Sequence, residues 1–338
     1  MEFKNVLITG IGGSAGSYLA EYIVENHPEV EVSGIVKDII KSSDRSEVSG
    51  IVRWHTEPSL KNLTDCIDDV NIHECDLQDF SSILRVLQEV KPDCIFHLAS
   101  HAKQREGFVN PLLMVGGNVM GTANLLEAIR FTKTNPHIMM CSTSELYGKV
   151  TEENVPITEE CPIAPVNPYA VSKLTQDFLG YAYYKSWGLN VIRTRTFGYI
   201  NPRRKDIFST SFATQIAKIE KEGSGIIKHG NLDSVRTLID VRDVAKSYWE
   251  SMKYCKVGEV YNIGGEDAVS VGEILEKLKK HATIEIESSV DESLLRPIDV
   301  TLQIPSVDKF KEITGWKPSY SLDESIDFLL KYCRSNYV

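Results

Sequence analysis

The segment NPYAVSK, residues 167–173, carries a tyrosine and a lysine at a spacing that suits proton transfer. Tyr169 and Lys173 are four residues apart, so a helix would place both side chains on one face. Asn167 followed by Pro168 is typical of the first turn of a helix. A lysine one turn from a tyrosine lowers the pKa of the phenol, so that the phenol can act as a base near neutral pH. The spacing is common, however, and an exposed amphipathic helix would also explain it.

A second segment, CSTSELYG at residues 141–148, ends an apolar run on hydroxyl groups and one acid. Thr143 and Ser144 supply the hydroxyl groups, and Glu145 supplies the carboxylate. A carboxylate in a cleft can take a proton from carbon and return it to a leaving group. For Glu145 alone, a carboxylate that caps the turn before LYG is the simpler explanation. Its role therefore depends on what the fold brings to the same place.

Short β-branched segments alternate with helical segments over the first 200 residues, which predicts an α/β fold with a doubly wound parallel (Rossmann) sheet. The predicted strands are 5–9, 30–36, 71–75, 94–99, 137–142 and 190–197, and the predicted helices are 14–26, 80–90, 118–131 and 168–187. Ligands bind beyond the carboxyl ends of the strands in such sheets. The end of the strand that leads into CSTSE should therefore face a cleft.

The glycine-rich segment ITGIGGSAGSYLAEYI, residues 8–23, predicts a strand that turns sharply into an amphipathic helix. Its glycines fit either GxxGxxG or GxGxxA, and both patterns let the backbone approach a pyrophosphate at a helix N-terminus. A tight turn without a ligand is the alternative. Because this turn opens the first strand–helix unit of the chain, we expect a dinucleotide there. The expected contacts are Gly10, Gly12, Gly13, Ser14 and Gly16.

The end of the second strand bears on which dinucleotide is bound. An acid there would accept the ribose hydroxyls of NAD. The residue expected to face the ribose is near Val36, with Lys37 beside it, and a cation there favours the 2′-phosphate of NADP. NAD stays possible because the acid Asp38 is one residue away. An acid after the third strand is both a candidate adenine contact and a candidate N-cap of the next helix. The cofactor contacts expected after the third and fourth strands are Asp76, Leu77, Leu98, Ala99 and Ser100.

Beyond about residue 201 the alternation breaks down, and a smaller C-terminal lobe is predicted. Its elements are a helix at 208–222, a strand at 225–229 and a strand at 283–288, while EVYNIGG at 259–265 is apolar enough to return to the main sheet. We expect a dinucleotide-binding domain at 1–200, joined by part of 235–265, and an interleaved substrate-binding lobe at 201–338.

Composition limits the classes of partner. The 338 residues carry a net charge of −10 without a long basic run, which argues against nucleic acid. Seven scattered cysteines without CxxC fit a reduced cytoplasm, and the eight histidines show no metal-ligand spacing. No signal-peptide pattern precedes the first strand, and no apolar run approaches the roughly 20 residues that span a bilayer. We therefore predict a soluble cytoplasmic protein with no metal, membrane or nucleic-acid partner.

Together these motifs resemble the extended short-chain dehydrogenases/reductases. Within that superfamily, CSTSELYG, NPYAVSK, NPRR, GNLDSVR and RPIDV resemble the GDP-mannose 4,6-dehydratase group of nucleotide-sugar dehydratases and epimerases. The resemblance covers the chain from Val6 to about Pro318. It implies a lyase of deoxysugar biosynthesis that converts GDP-mannose or a GDP-heptose to a 4-keto-6-deoxy sugar, with NADP recycled within one turnover.

The resemblance implies a role for each member of the catalytic group. Tyr169 would act as the base at O4, Thr143 would orient that oxygen, and Lys173 would hold the tyrosinate and the nicotinamide ribose. Glu145 would take the C5 proton, which the C4 ketone makes acidic, and would protonate the departing C6 hydroxyl. A ketoreductase or a C4 epimerase needs no such second base.

The resemblance also implies substrate contacts from both parts of the chain. These are Ser144 and His101 beside the sugar, Arg203 and its neighbour Arg204 near phosphate or cofactor, and Arg236 and Arg296 at the nucleotide diphosphate. Surface salt bridges or solvated loop charges are the alternatives for the arginines. Two features near the expected sugar contacts depart from the family pattern. Gly198 stands where the family has an asparagine, and the segment 103–106 is more polar than expected.

Two other functions stay open. One is a 4-ketoreductase or C4 epimerase of a nucleotide sugar, and the other is a non-catalytic dinucleotide-binding sensor or scaffold, against which the intact Thr143, Tyr169 and Lys173 argue. The sequence leaves open the sugar and the base of the nucleotide. A homodimer or homotetramer is expected, because family members pack the helix that bears Tyr169 and its neighbour into a four-helix interface.

Overall fold

The computed structural model describes residues 2–37, 60–295 and 300–337 of the chain. The strands are β1 (Asn5–Thr9), β2 (Glu31–Val36), β3 (Val70–Glu74), β4 (Cys94–His97), β5 (His137–Thr143), β6 (Val191–Thr196), β7 (Tyr199–Ile200), β8 (Ile226–His229), β9 (Val235–Thr237), β10 (Ile239–Asp240), β11 (Val260–Ile263), β12 (Ala268–Ser270), β13 (Glu287–Val290) and β14 (Leu302–Gln303). The helices are α1 (Ser14–Asn26), α2 (Phe80–Val90), α3 (Gln104–Val109), α4 (Pro111–Thr132), α5 (Pro168–Trp187), α6 (Phe208–Glu222), α7 (Val241–Tyr254), α8 (Val271–Lys280), α9 (Asp308–Thr314) and α10 (Leu322–Asn336).

Seven parallel strands form the central sheet, in the order β11-β6-β5-β4-β1-β2-β3. Helices α1, α7 and α9 cover one face, and α2, α4 and α5 cover the other. Most strand residues are buried because helices lie on both faces, which is why the strands read as continuous apolar runs. The predicted doubly wound parallel sheet is confirmed.

The lobe has an apolar core of its own, built from α6, α8, α10 and the short strand β8. Its small sheets have the orders β12-β9-β14 and β13-β8. Strand β11 and helices α7 and α9 come from the same half of the chain but pack on the main sheet. The strand predicted at 283–288 is displaced to β13, because parallel pairing with β8 begins at Glu287 opposite Ile226. The boundaries of the two predicted domains remain a prediction.

Helix α4 is longer than the helix predicted at 118–131. The side chain of Asn110 caps its first turn by accepting from the backbone of Leu113 at 3.3 Å, and Pro111 occupies the first position. The 22-residue helix is the one helix, within the described ranges, that is long and apolar enough to cross a bilayer. This corrects the expectation that no such run exists. The helix packs against α2 and α5, as a core helix of a folded domain does.

Candidate active site

A cleft of about 380 Å³ opens at the carboxyl ends of β1, β4, β5 and β6, under the lobe. Its volume lies within the roughly 300–1,000 Å³ of small-molecule sites. Both chain segments with candidate chemistry line it, as do the glycine turn and residues of the lobe. The lining includes Gly10, Gly13, Ser14, Gly16, Leu98, Ser100, Thr143, Ser144, Glu145, Tyr169, Lys173, Gly198, Arg204, Arg236 and Gln303.

Helix α5 brings Tyr169 and Lys173 to the cleft. The side chain of Asn167 accepts from the backbone of Ala170 at 2.8 Å, and this cap sets the first turn of the helix. Both functional side chains are buried. The ammonium of Lys173 donates to the carbonyl oxygen of Cys141 on β5, and burial lowers the pKa of Lys173.

The pKa of Tyr169 differs from the sequence-based expectation. Burial raises the pKa of the phenol well above its ordinary value, and the charge of Arg204 is the largest effect in the opposite direction. The side chain of Thr143 hydrogen-bonds the phenol and also lowers its pKa. The sequence predicted that Lys173 lowers the pKa of Tyr169, but the groups that lower it are Arg204 and Thr143. Their combined effect is smaller than the increase caused by burial.

Glu145 faces the same cleft, because the chain turns sharply where β5 ends. Thr143 is the last residue of β5, and its hydroxyl caps the following 3₁₀ turn by accepting from the backbone of Glu145 at 3.3 Å. The carboxylate is 9% exposed and accepts from the side chain of Asn167 at 3.2 Å. The simpler explanation of Glu145 as the cap of this turn is thus wrong, since Thr143 makes the cap.

The glycine turn has the shape that a pyrophosphate needs. Gly10 has a φ of +75°, and a Cβ there would lie 2.9 Å from the Cα of Ala99. Gly13 is the N-cap of α1, and no side chain within the described residues caps this helix end. The N–H groups of the first turn therefore face the cleft beside Ser14 and Gly16. The residues fit the diphosphate of a dinucleotide, although Gly12 lies off the lining, with its carbonyl bonded to Asn62.

The residues expected at the ends of β2 and β3 contact each other. Lys37 forms an ion pair with Asp76, so each charge already has a partner of opposite sign. Neither residue lines the cleft within the described ranges, and Leu77 packs beside Gly121 of α4. The N-cap of α2 is Asp79, not Asp76. Asp38, on which the choice between NAD and NADP depends, lies outside the described residues.

The segment after β4 divides between the cleft and the neighbouring helix. Leu98 and Ser100 line the cleft, while the backbone of Ala99 donates to the side chain of Thr9 at 3.2 Å and supports the glycine turn. His101 is not part of the lining. Its backbone donates to the side chain of Asn118 at 2.6 Å, and its ring lies against Gly117 of α4. The expectation that His101 borders the sugar is therefore corrected.

The arginine pair after β7 points in two directions. Arg203 turns away from the cleft, donates to Ser17 and Glu21 of α1 at 2.9 and 2.6 Å, and stacks on Tyr18. This buried ion pair corrects the expectation that Arg203 binds substrate. Arg204 lines the cleft and donates to the carbonyl of Ala102 at 2.9 Å.

In the lobe, Arg236 of β9 lines the cleft, while Arg296 lies outside the described residues. Gly198 lines it too, and a Cβ there would lie 2.9 Å from the carbonyl oxygen of Thr237. A larger residue at position 198, such as the asparagine of the family, would therefore require β9 to move. Within the described ranges, no three His, Cys, Asp or Glu side chains come together as a metal would require.

Sequence patterns missed several residues of the cleft. Tyr199, Asp206, Tyr248 and Gln303 line it, and each comes from a segment without a recognisable motif. Tyr199 and Asp206 follow the end of β6, Tyr248 comes from α7 on the main sheet, and Gln303 comes from β14 of the lobe, so packing of distant segments brings them near the motifs.

Comparisons with known proteins agree with this geometry. The family model described as GDP-mannose 4,6 dehydratase matches residues 7–328. GDP-6-deoxy-D-mannose reductase of Pseudomonas aeruginosa is 32% identical over 76% of this chain and 85% of the relative. GDP-mannose 4,6-dehydratase of Yersinia enterocolitica is 29% identical over 95% of this chain and 91% of the relative.

Solved structures show the same fold. The Pseudomonas aeruginosa protein RMD, complexed with NADPH, is 26% identical with a TM-score of 0.81, and 98% of each chain is covered. The dTDP-glucose 4,6-dehydratase of Bacillus anthracis, complexed with NAD, has a TM-score of 0.79 at 23% identity, with 98% of this chain and 97% of that chain covered. Relatives with this fold therefore hold NADPH or NAD.

Proposed function

The chain belongs to the GDP-mannose 4,6-dehydratase family, and we propose that it dehydrates a GDP-sugar of the manno series to a 4-keto-6-deoxy sugar. The observation that carries the proposal is the carboxylate of Glu145 in the same cleft as Thr143, Tyr169 and Lys173. Oxidation at C4 alone has no use for a second proton-transfer group, whereas elimination of water across C5 and C6 requires one.

In the first step Tyr169 takes the proton of the C4 hydroxyl. Thr143, which hydrogen-bonds the phenol, holds the same oxygen in line. Lys173 orients the phenol from the next turn of α5, anchored on the carbonyl of Cys141. When bound, NADP would supply the hydride acceptor for C4 and the hydride donor for C6, and the positive charge of its nicotinamide would favour the tyrosinate form of Tyr169.

In the second step Glu145 takes the proton from C5, which the C4 ketone has made acidic. The C5–C6 double bond forms as the C6–O bond breaks, and Glu145 gives its proton to the departing hydroxyl, which leaves as water. Asn167 holds one carboxylate oxygen at 3.2 Å, so the carboxylate keeps one orientation through both transfers. Reduction at C6 then needs a new proton at C5, which comes from solvent.

The remaining cleft residues suit a dinucleotide and a second diphosphate. The first-turn residues Ser14, Ala15 and Gly16 of α1 present backbone N–H groups to the cofactor, and Arg236 offers a fork of donors to the substrate diphosphate. We infer NADP rather than NAD mainly because the related Pseudomonas aeruginosa structure holds NADPH. Lys37 at the end of β2 agrees with this choice if the 2′-phosphate displaces Asp76 as its partner. Arg296 would be a second diphosphate contact by its place in the RPIDV motif.

Mass and isotope measurements test the reaction. The purified protein is incubated with GDP-mannose and NADP without added reductant, and the product is expected to be lighter by one water. In deuterated water it should carry one deuterium at C5. No mass loss from any GDP-sugar would contradict the proposal, and tight cofactor binding without turnover would favour a sensor.

Glu145→Gln tests the residue that carries the proposal. We expect about 10²–10⁴-fold slower dehydration with cofactor binding and slow oxidation at C4 preserved, because Tyr169 and Thr143 remain. Glu153→Gln is the matched control, since Glu153 is an exposed acid of a nearby turn outside the cleft lining. Wild-type product yield from Glu145→Gln would remove this residue from the mechanism.

A 4-ketoreductase is the second candidate function, and the 32% identity to GDP-6-deoxy-D-mannose reductase favours it. That reaction would use Thr143, Tyr169 and Lys173 but not Glu145. It predicts consumption of added NADPH with a 4-keto-6-deoxy sugar, and equal rates for wild type and Glu145→Gln.

We also propose a homodimer formed by the outer faces of α4 and α5. Large exposed apolar side chains concentrate on these helices and on α3. They are Phe108, Val109, Leu112, Leu113, Met120, Phe131, Val171, Phe178, Tyr181 and Trp187. Leu113 and Met120 are seven residues apart, as are Val171 and Phe178, so each pair shares one face of its helix. Sedimentation should give twice the mass of the chain, and a monomer would contradict this assembly.

A cytoplasmic location is the final part of the proposal. All seven cysteines are free thiols, which fits a reducing compartment. Fractionation of the source cells tests this, and recovery with the membranes would contradict it.

A further inference from the structure

A glutamine of the lobe reaches the cleft beside the proposed catalytic group. Gln303 lies in β14 and pairs in register with Arg236 of β9. Its side chain is 4% exposed and lines the cleft together with Ser144 and Glu145. A buried polar side chain in this position needs hydrogen-bond partners for both ends of its amide.

One end of the Gln303 amide is fixed by the main domain. Ser144 Oγ donates to Gln303 Oε1 at 2.9 Å, a bond between residues 159 positions apart in the sequence. Ser144 stands between Thr143 and Glu145, so this bond ties the lobe strand to the turn that carries two of the proposed catalytic side chains. The amide therefore has a fixed orientation relative to them.

The other end of the amide has no hydrogen-bond partner among the described residues. Gln303 Nε2 is buried and makes no hydrogen bond to any residue that the structure describes. The oxygen and nitrogen of an amide can be exchanged by a flip, but the result is the same, because Ser144 satisfies only one end. An unpaired amide group that lines a ligand cleft is available to hydrogen-bond the ligand.

We propose that Gln303 determines specificity by hydrogen-bonding a ring hydroxyl of the hexose, at C2 or C3. The inference rests on the proposed function, which assigns C4 to Tyr169 and Thr143, and C5 and C6 to Glu145. Arg236, the register neighbour of Gln303, is assigned to the diphosphate at C1. A side chain between these two groups faces the remaining ring positions, and the hydroxyls at C2 and C3 are hydrogen-bonding groups.

The test compares GDP-mannose with its 2-deoxy and 3-deoxy analogues, using kcat/KM for dehydration. Wild type should lose about tenfold or more on one analogue, because a site built to bond a hydroxyl rejects the molecule that lacks it. In Gln303→Leu, kcat/KM for GDP-mannose should decrease by a similar factor. Its kcat/KM for that deoxy analogue should then equal its kcat/KM for GDP-mannose.

Two more variants separate the amide from general effects on the lobe. Gln303→Met keeps much of the side-chain length but removes both ends of the amide, so it should lose discrimination as Gln303→Leu does. Gln215→Leu is the matched control, because both ends of the Gln215 amide bond the backbone of Lys228, at 2.8 and 3.0 Å, away from the cleft lining. It should discriminate between the substrates as wild type does.

Wild type alone can overturn the inference, so the test does not depend on the folding of a variant. Equal kcat/KM for GDP-mannose and both analogues would overturn it, as would undiminished discrimination in Gln303→Leu or Gln303→Met. No dehydration of GDP-mannose by wild type would be a different result. It would overturn the proposed function, and with it the assignment of Gln303.

Discussion

Helix α5 buries two opposite charges one turn apart, and their surroundings differ. Asp177 is fully buried and bonds two arginines of β6, Arg193 at 2.9 Å and Arg195 at 3.1 Å. Lys173 is also buried, but its partner is the uncharged carbonyl oxygen of Cys141, and no carboxylate in the described part of the chain pairs with it. The charge of Asp177 is therefore balanced by neighbouring arginines, whereas the charge of Lys173 faces the cleft without a paired carboxylate among the described residues.

The difference teaches which buried charges hold the fold and which serve chemistry. A buried ion without a counter-charge is unfavourable, and such groups are typical of active sites. Removing the partner of a compensated ion leaves an unpaired charge inside the protein and destabilises it. Removing the uncompensated ion, Lys173, should lower activity without lowering the free energy of unfolding. Substitutions on α5 can therefore separate the two kinds of burial.

Among substitutions of these buried charged and titratable groups, the largest expected effect is on activity, from Lys173→Met. We expect dehydration to slow about 10²–10³-fold, because the proposed mechanism uses Lys173 to orient Tyr169. The free energy of unfolding should stay equal or rise, because an apolar side chain of similar length replaces a buried ammonium. Initial rates and urea unfolding measure the two quantities.

Lys185→Met on the same helix is the control, since Lys185 lies in the last turn of α5, away from the cleft lining. It should change neither quantity appreciably. A large loss of stability in Lys173→Met with activity retained would reverse the assignment of the two charges.

The next effect is on stability, from Asp177→Asn. Losing this carboxylate leaves Arg193 and Arg195 without their counter-charge, and breaking a buried pair destabilises a protein by about 3–5 kcal/mol. The urea midpoint should fall accordingly, while the folded variant keeps kcat within about threefold. Loss of activity with an unchanged midpoint would show that Asp177 belongs to the catalytic group.

The smallest effect concerns a neutral buried group beside α5. The ring nitrogens of His97 lie 2.8 Å from the hydroxyls of Thr9 and of Thr122, and burial lowers the pKa of His97 from 6.5 to about 3. Between these pH values the unfolded chain binds a proton that the folded protein does not. As the pH is lowered from 6.5 towards 3, the free energy of unfolding should therefore decrease, by up to about 1.4 kcal/mol per pH unit.

His97→Gln removes this titration and is expected to flatten the dependence of the urea midpoint on pH from 6.5 towards 4. His281→Gln is the control, because His281 lies at the exposed end of α8. An identical slope in wild type and His97→Gln would show that His97 takes up its proton in the folded state as readily as in the unfolded chain.

The sequence predicted the first two-thirds of the chain well because its signals are local. The helices 14–26, 80–90 and 168–187 begin and end as predicted. Caps and hydrophobic periodicity act over a few residues, so they can be read without knowing the rest of the fold. Helix α4 was predicted too short, since Gly116 and Gly117 interrupt its pattern while packing keeps it helical.

The residues of the candidate site also fall into two groups, those that a local pattern predicted and those that tertiary contacts decided. The YxxxK spacing, the STSE strand end and the glycine turn are local patterns, and the parallel sheet brings them to one edge. His101 and Arg203 were assigned by position in a motif, but neighbours distant in sequence decide where they point. Asn118 and Gly117 hold His101 against α4, and Glu21 of α1 holds Arg203 away from the cleft.

By itself the sequence determined the parallel sheet, the glycine turn and the two motifs that carry Thr143 with Glu145 and Tyr169 with Lys173, because each of these depends on residues close together in the chain. Only the tertiary structure decided that Arg204 rather than Lys173 most lowers the pKa of Tyr169, and that Gln303 meets Ser144. Those relations join segments far apart in sequence. Their electrostatics and hydrogen bonds depend on distance in space, which no local pattern records.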